Sequence, residues 1–159
     1  MSWRCTGTSF ADFESFFSAS FPICFGNEVK GTVDKAGQPY LLDPLRLMVR
    51  VETETEKFVA LLHDVVEDSQ PPQRWGLDEL RREGISESAL AALEGVTRRE
   101  SETYEEFIRH SLTHPVTRRV KLADLEDNMD ILRLATLTDR DAERLRRYLA
   151  AWRGLTGAK

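Results

Sequence analysis

The chain has 159 residues, 41% hydrophobic and 31% charged, a length and composition that suit one globular domain and argue against disorder of the whole. Twenty-seven acidic residues against 22 Lys plus Arg give a formal charge of −5, which disfavours duplex nucleic acid as a partner but leaves room for a basic pocket. Two cysteines, Cys5 and Cys24, exclude a four-thiolate zinc site; no apolar run reaches the length of a membrane span, and without a secretory leader pattern the expected location is cytoplasmic.

Taken in chain order, Ser9 to Phe25 carries Phe10, Phe13, Phe16, Phe17, Phe21 and Phe25 at spacings that predict a helix laid over the core, interrupted at Pro22. Residues 30–40 are polar and punctuated by Gly and Pro, a loop. A helix is expected to start near Pro44. Thr53 and Glu56 form a capping box that opens another, continuing through Leu61, Leu62, Val65 and Val66 until Pro71 and Pro72 break it. Short helices are expected at Leu77–Glu83, stopped by Gly84, at Ser88–Leu93 before Gly95, and at Thr103–Ser111. A long helix follows His114-Pro115, from Val116 to Ala135. The last runs from Asp139 to Trp152, capped by Thr138 and lined by Leu145, Leu149 and Trp152. No alternating strand pattern occurs, so the expected class is all-α. The expected division is a Phe-rich segment at 1–27 packed on the domain, a domain at 28–153 and a tail at 154–159.

Two stretches carry polar groups where core residues are expected. In Leu61-Leu62-His63-Asp64-Val65-Val66-Glu67-Asp68, residues four apart share one side of a helix, so His63 with Glu67 and Asp64 with Asp68 form a patch of ligands and acid–base groups. Burying them unpaired would be costly, and a cation would remove that cost. In Lys121-Leu122-Ala123-Asp124-Leu125-Glu126-Asp127-Asn128-Met129, Asp124 and Asn128 share a face, while Leu122, Leu125, Met129 and Leu132 should pack inward. Asp124 can then complete a metal site across a helix–helix contact, and Lys121 can neutralise it or hold a phosphate. Mixed imidazole and carboxylate donors suit Mn²⁺, Fe²⁺ or Zn²⁺. The ordinary alternative for both stretches is a solvated helix face. His110 and His114 read as capping and surface residues.

These residues resemble the HD-domain metal-dependent phosphohydrolases, and more narrowly the hydrolase domain of the RelA/SpoT alarmone proteins and their small stand-alone relatives. The matching strings are DKAGQPYLLDP at 34–44, ALLHDVVEDS at 60–69, GVTRR at 95–99, YEEF at 104–107 and VKLADLEDNM at 120–129. They follow the family order over about residues 28–135. The resemblance implies a single helical HD-type bundle, one Mn²⁺ ion, and removal of pyrophosphate from the 3′ position of guanosine tetra- or pentaphosphate. It implies metal ligation by Asp43, His63, Asp64 and Asp124, water activation by Glu67 and Asp68, and a nucleotide wall including Lys35, Tyr40 and Asn128.

Two departures from that pattern matter, and a third is small. Asp43 stands where the family's Tyr-x-x-His-Pro motif places a ligand histidine, so the implied site has three formal negative charges. Asp34 stands where the alarmone enzymes carry an arginine. Val29 replaces a histidine and is assigned to packing. The alternative to an enzyme is therefore a degenerate HD domain that binds a nucleotide or a protein without turnover. The expected partner is a small nucleotide, with no membrane contact, and self-association is left open.

Overall fold

Several helix starts in this chain are set by short polar side chains that satisfy the free amides of a first turn. The computed structural model describes residues 33–34, 36–68 and 75–158, the side chain of Asp68 excepted. Among them are helices α1 (Leu42–Arg50), α2 (Glu54–Leu62), α3 (Val65–Asp68), α4 (Leu77–Arg82), α5 (Glu87–Val96), α6 (Tyr104–His110), α7 (Pro115–Asn128) and α8 (Asp139–Thr156), with a 3-10 turn at Ile131–Arg133. The described residues contain no strand, only an isolated bridge between Val33 and Pro39, so the all-α expectation holds for them. No helix among them is long and apolar enough to cross a membrane. The Phe-rich helix and the proline break at 71–72 lie outside the described residues.

The expected caps are present. Thr53 Oγ1 accepts the Glu56 amide at 3.2 Å, and Glu56 Oε2 accepts the Thr53 and Glu52 amides at 2.9 and 3.0 Å. Thr103 with Glu106 and Thr138 with Asp141 repeat the box. Gly84 ends the helix before it at φ 92° and Gly157 ends α8 at φ 72°, left-handed conformations that cost glycine little.

α7 is the central element and packs against α1, α2, α5 and α8. Leu47 of α1, Val59 and Leu62 of α2, Leu93 of α5 and Val120 of α7 meet in one buried cluster. Ile108, Leu125, Ala151 and Leu155 form a second between α6, α7 and α8.

Expectations for four helices are corrected. α2 does not run on to Val66: it ends at Leu62, and His63–Asp64 form a turn before α3. The His63 Nδ1 bonds the Ala60 carbonyl at 2.8 Å, the acceptor that the Asp64 amide would use in a continuing helix. Gly95 does not stop a helix but lies inside α5. α7 ends at Asn128 and not at Ala135, because Asp130 turns extended and its carboxylate takes the Leu132 amide at 3.1 Å. Leu132, expected to point inward, is consequently 91% exposed. α8 passes Gly154 to Thr156, and it buries Ala151 and Leu155 in place of Leu149.

At Gly95 an added Cβ would lie 2.5 Å from Thr117 Oγ1 and 3.1 Å from Thr117 Cβ. Overpacking of about 1–3 kcal/mol should outweigh the helix-propensity gain of roughly 1 kcal/mol, so Gly95→Ala is expected to lower the urea midpoint. An unchanged midpoint would contradict that contact. Glu56 supplies a pH-dependent contribution. Burial opposes its ionisation, but the Thr53 and Glu52 amides, the Thr53 hydroxyl and Arg119 lower its pKa below the ordinary 4.5. Charge-assisted bonds of this kind contribute about 1.5–3 kcal/mol. The stability gap between the native chain and Glu56→Ala should be full above pH 4.5 and close as pH falls through the lowered folded value. Denaturant curves at neutral and acid pH measure it.

Candidate metal centre

Three elements deliver the donors. Asp43 is the second residue of α1, in a first turn whose free amides favour negative charge. His63 and Asp64 occupy the turn that separates α2 from α3, and Asp124 comes from α7. Asp43, His63 and Asp64 each offer one ligand atom, all within 4.8 Å of one another. His63 Nε2 lies 3.1 Å from Asp64 Oδ2 and 3.7 Å from Asp43 Oδ2.

The imidazole is oriented by its other nitrogen. A backbone carbonyl can only accept, so Nδ1 donates to Ala60 and Nε2 faces the carboxylates. Burial would lower the His63 pKa, but Asp64, Asp124 and Asp43 together raise it to about 10. Asp64 is likewise buried against its charge, yet His63, the Tyr40 hydroxyl and Lys121 hold it well below the usual carboxylate range. Asp43 shifts upward, first by burial and then by Asp124, Asp64 and Asp127, with His63 opposing. In the absence of an ion, a ring proton on Nε2 is the positive charge between the acids.

Asp124 stands outside the close group of three but lines the same cavity, a volume of about 530 Å³. Its Oδ2 accepts from Lys121 Nζ at 2.6 Å and its Oδ1 from Asn128 Nδ2 at 2.5 Å. The Lys121 ammonium also sits 4.8 Å from the centre of the Phe107 ring. Burial disfavours that charge, but Asp124 raises its pKa and keeps it protonated. Glu67 lines the cavity from α3, where its Oε1 accepts the Arg98 amide. The Tyr40 hydroxyl donates to Asp64. Lys35 and the side chain of Asp68 lie outside the described residues.

Several lining residues were not singled out from the sequence. Arg133, Arg144, Arg147, Tyr104 and Tyr148 also line the cavity, so acids, bases and aromatic rings share its lining. Arg144 and Tyr148 are four apart on α8, a spacing that puts them on one face, but nothing in the sequence says which face α8 turns inward. Asp34 is tied to Arg46 and Arg133, and Asp127, fully buried, to the same two arginines.

The donors fit a divalent cation: two carboxylates and one neutral-capable imidazole whose second nitrogen is already fixed, in an excess of negative charge. Comparison with protein-family models and with the curated proteins finds no match for this chain. The residues themselves establish an all-helical protein, over its described length, with a buried Asp–His–Asp cluster able to coordinate a metal. An ion present at 100 times its Kd should stabilise the chain by about 2.7 kcal/mol. Mn²⁺, Fe²⁺ or Zn²⁺ should therefore raise Tm, and His63→Ala should abolish the rise. No response of the native chain to any of the three ions would contradict the cluster's proposed occupancy.

Proposed function

We propose that the chain is a metal-dependent phosphohydrolase acting on a nucleotide, and most specifically that it removes the 3′-pyrophosphate of guanosine tetra- or pentaphosphate. The observation that carries this reading is the placement of the Asp43–His63–Asp64 cluster on a cavity whose lining also holds Arg98, Lys121, Arg144, Arg147, Tyr104 and Tyr148. The acids suit a cation and the arginines suit phosphates, so one cavity offers both halves of a phosphoryl-transfer site. The five matching strings support the narrower substrate.

In this proposal Asp43, His63, Asp64 and Asp124 hold a divalent ion, Mn²⁺ being the expected one. When bound, such an ion lowers the pKa of a water and polarises a phosphoryl oxygen. Glu67, fixed by the Arg98 amide at the rim, orients the attacking water and takes its proton, with Asp68 as its partner. The water oxygen bonds to the phosphorus attached to the 3′ oxygen, the bond from that phosphorus to the 3′ oxygen breaks, the proton taken by Glu67 passes to the 3′ oxygen, and pyrophosphate and a nucleotide with a 3′ hydroxyl are released. Lys121 and the arginines offset the phosphate charge, while Lys35, Tyr40 and Asn128 contribute to the nucleotide wall.

A second reading, nucleotide binding without turnover, draws on one feature: Lys121 and Asn128 already engage both oxygens of Asp124. A phosphate-release panel with Mn²⁺ separates the two. It takes guanosine tetraphosphate, its adenine counterpart, nucleoside triphosphates and deoxynucleoside monophosphates. Turnover of the first, lost in Glu67→Gln by about 100-fold or more with metal still bound, is the expected result. Binding without release selects the second reading, and turnover unchanged in Glu67→Gln removes Glu67 from the chemistry.

A further inference from the structure

The Asp43 carboxylate is held from behind. Arg46 follows it by three on α1, and its Nη2 donates to Asp43 Oδ1 at 3.2 Å and to Asp34 Oδ2 at 3.1 Å. Its Nε donates to both oxygens of Asp127, at 3.1 and 3.0 Å. Asp127 has no exposed side-chain surface and is gripped also by Arg133. The guanidinium is therefore fixed on a buried anchor in α7, and only then reaches Asp43.

That arrangement divides the work of the two Asp43 oxygens. Oδ1 is committed to Arg46, and Oδ2 is turned toward His63 Nε2. A carboxylate without such a partner can rotate and bind an ion through one oxygen or two. The same guanidinium offsets the extra negative charge that an aspartate brings to a cluster already holding Asp64 and Asp124. We propose that Arg46 is a positioning residue for the metal centre, keeping Asp43 a one-oxygen ligand aimed at the ion shared with His63 and Asp64. The inference rests on the metal reading above and goes beyond it, since no contact between Arg46 and a substrate is involved.

The sign of the effect separates positioning from simple electrostatics. Removing a cation near a dication site strengthens binding by Coulomb's law alone. Losing a residue that orients a ligand weakens binding, by about 10–100-fold for partners of this kind. The test uses the full chain and measures Mn²⁺ affinity by calorimetry and the visible spectrum of bound Co²⁺, which reports coordination number. Arg46→Met and Arg46→Lys are compared in the native background and in Asp43→His.

In the native background both variants should weaken Mn²⁺ binding 10–100-fold and alter the Co²⁺ spectrum, lysine included, because it lacks the planar fork. In Asp43→His neither variant should alter the spectrum, because an imidazole has no second oxygen to restrain. Tighter or unchanged Mn²⁺ binding in the native background overturns the proposal, as do equal losses in both backgrounds. Should Arg46→Met fail to fold by circular dichroism, the lysine pair decides. A native chain that binds neither ion defeats the metal reading itself, and this inference with it.

Discussion

The hydrogen bond from His63 Nδ1 to the Ala60 carbonyl does two jobs at once. It ties the ring back over the last turn of α2, at the point where that helix closes and the chain turns. It also fixes which ring nitrogen meets the acids. If the imidazole were free to flip, either nitrogen could face Asp43 and Asp64, and no donor set of fixed shape would exist. The same turn brings Asp64 within reach of the Tyr40 hydroxyl, and it starts α3, which carries Glu67 to the rim. A side chain bonding to its own backbone thus organises the ligand atoms, the acid beside them and the edge of the cavity.

Around that turn the charges are arranged in alternation. Asp34, Asp43 and Asp127 are interleaved with Arg46 and Arg133, and Asp124 is matched by Lys121. Each acid buried near the cluster would be costly alone. Asp34 is instructive: burial resists its charge, yet amides from Gln38 and Ala36 together with the two arginines hold its pKa below the ordinary value. Its carboxylate closes the 34–38 turn with one oxygen and ties that turn to the bundle with the other. An acid at position 34 therefore serves as a structural clasp here.

What the sequence made legible was local. Thr53 with Glu56 announces a helix start because a cap and its partner are three residues apart, Thr138 reads as a cap, and both form; Thr103 adds a third box that was not read from the sequence. Asp124 and Asn128 share a face because four residues separate them, and both meet the cavity. The illegible parts depend on distant partners. The tie between Arg46 and Asp127 joins positions 81 apart, and neither residue carries a pattern that names the other. The helix ends at Leu62 and Asn128 were missed: the Asp130 carboxylate takes the Leu132 amide that a continuing helix would use, and no spacing in the sequence marks the turn at His63. The inward face of α8 was misread since its spacing alone fits more than one rotation about the axis.

The seam between α5 and α7 has a bearing on the cluster that stability does not capture. Thr117 seats its hydroxyl on the Ala92 carbonyl at 2.9 Å, and Gly95 leaves room for it. Asp124 lies seven residues farther along α7, two helical turns from that seat. Sliding α7 by one residue would carry its acid about 1.5 Å along the axis, a distance comparable to most of a metal–oxygen bond. The missing side chain at Gly95 thus gives Thr117 its seat against α5, on the same helix that carries Asp124 to the cavity.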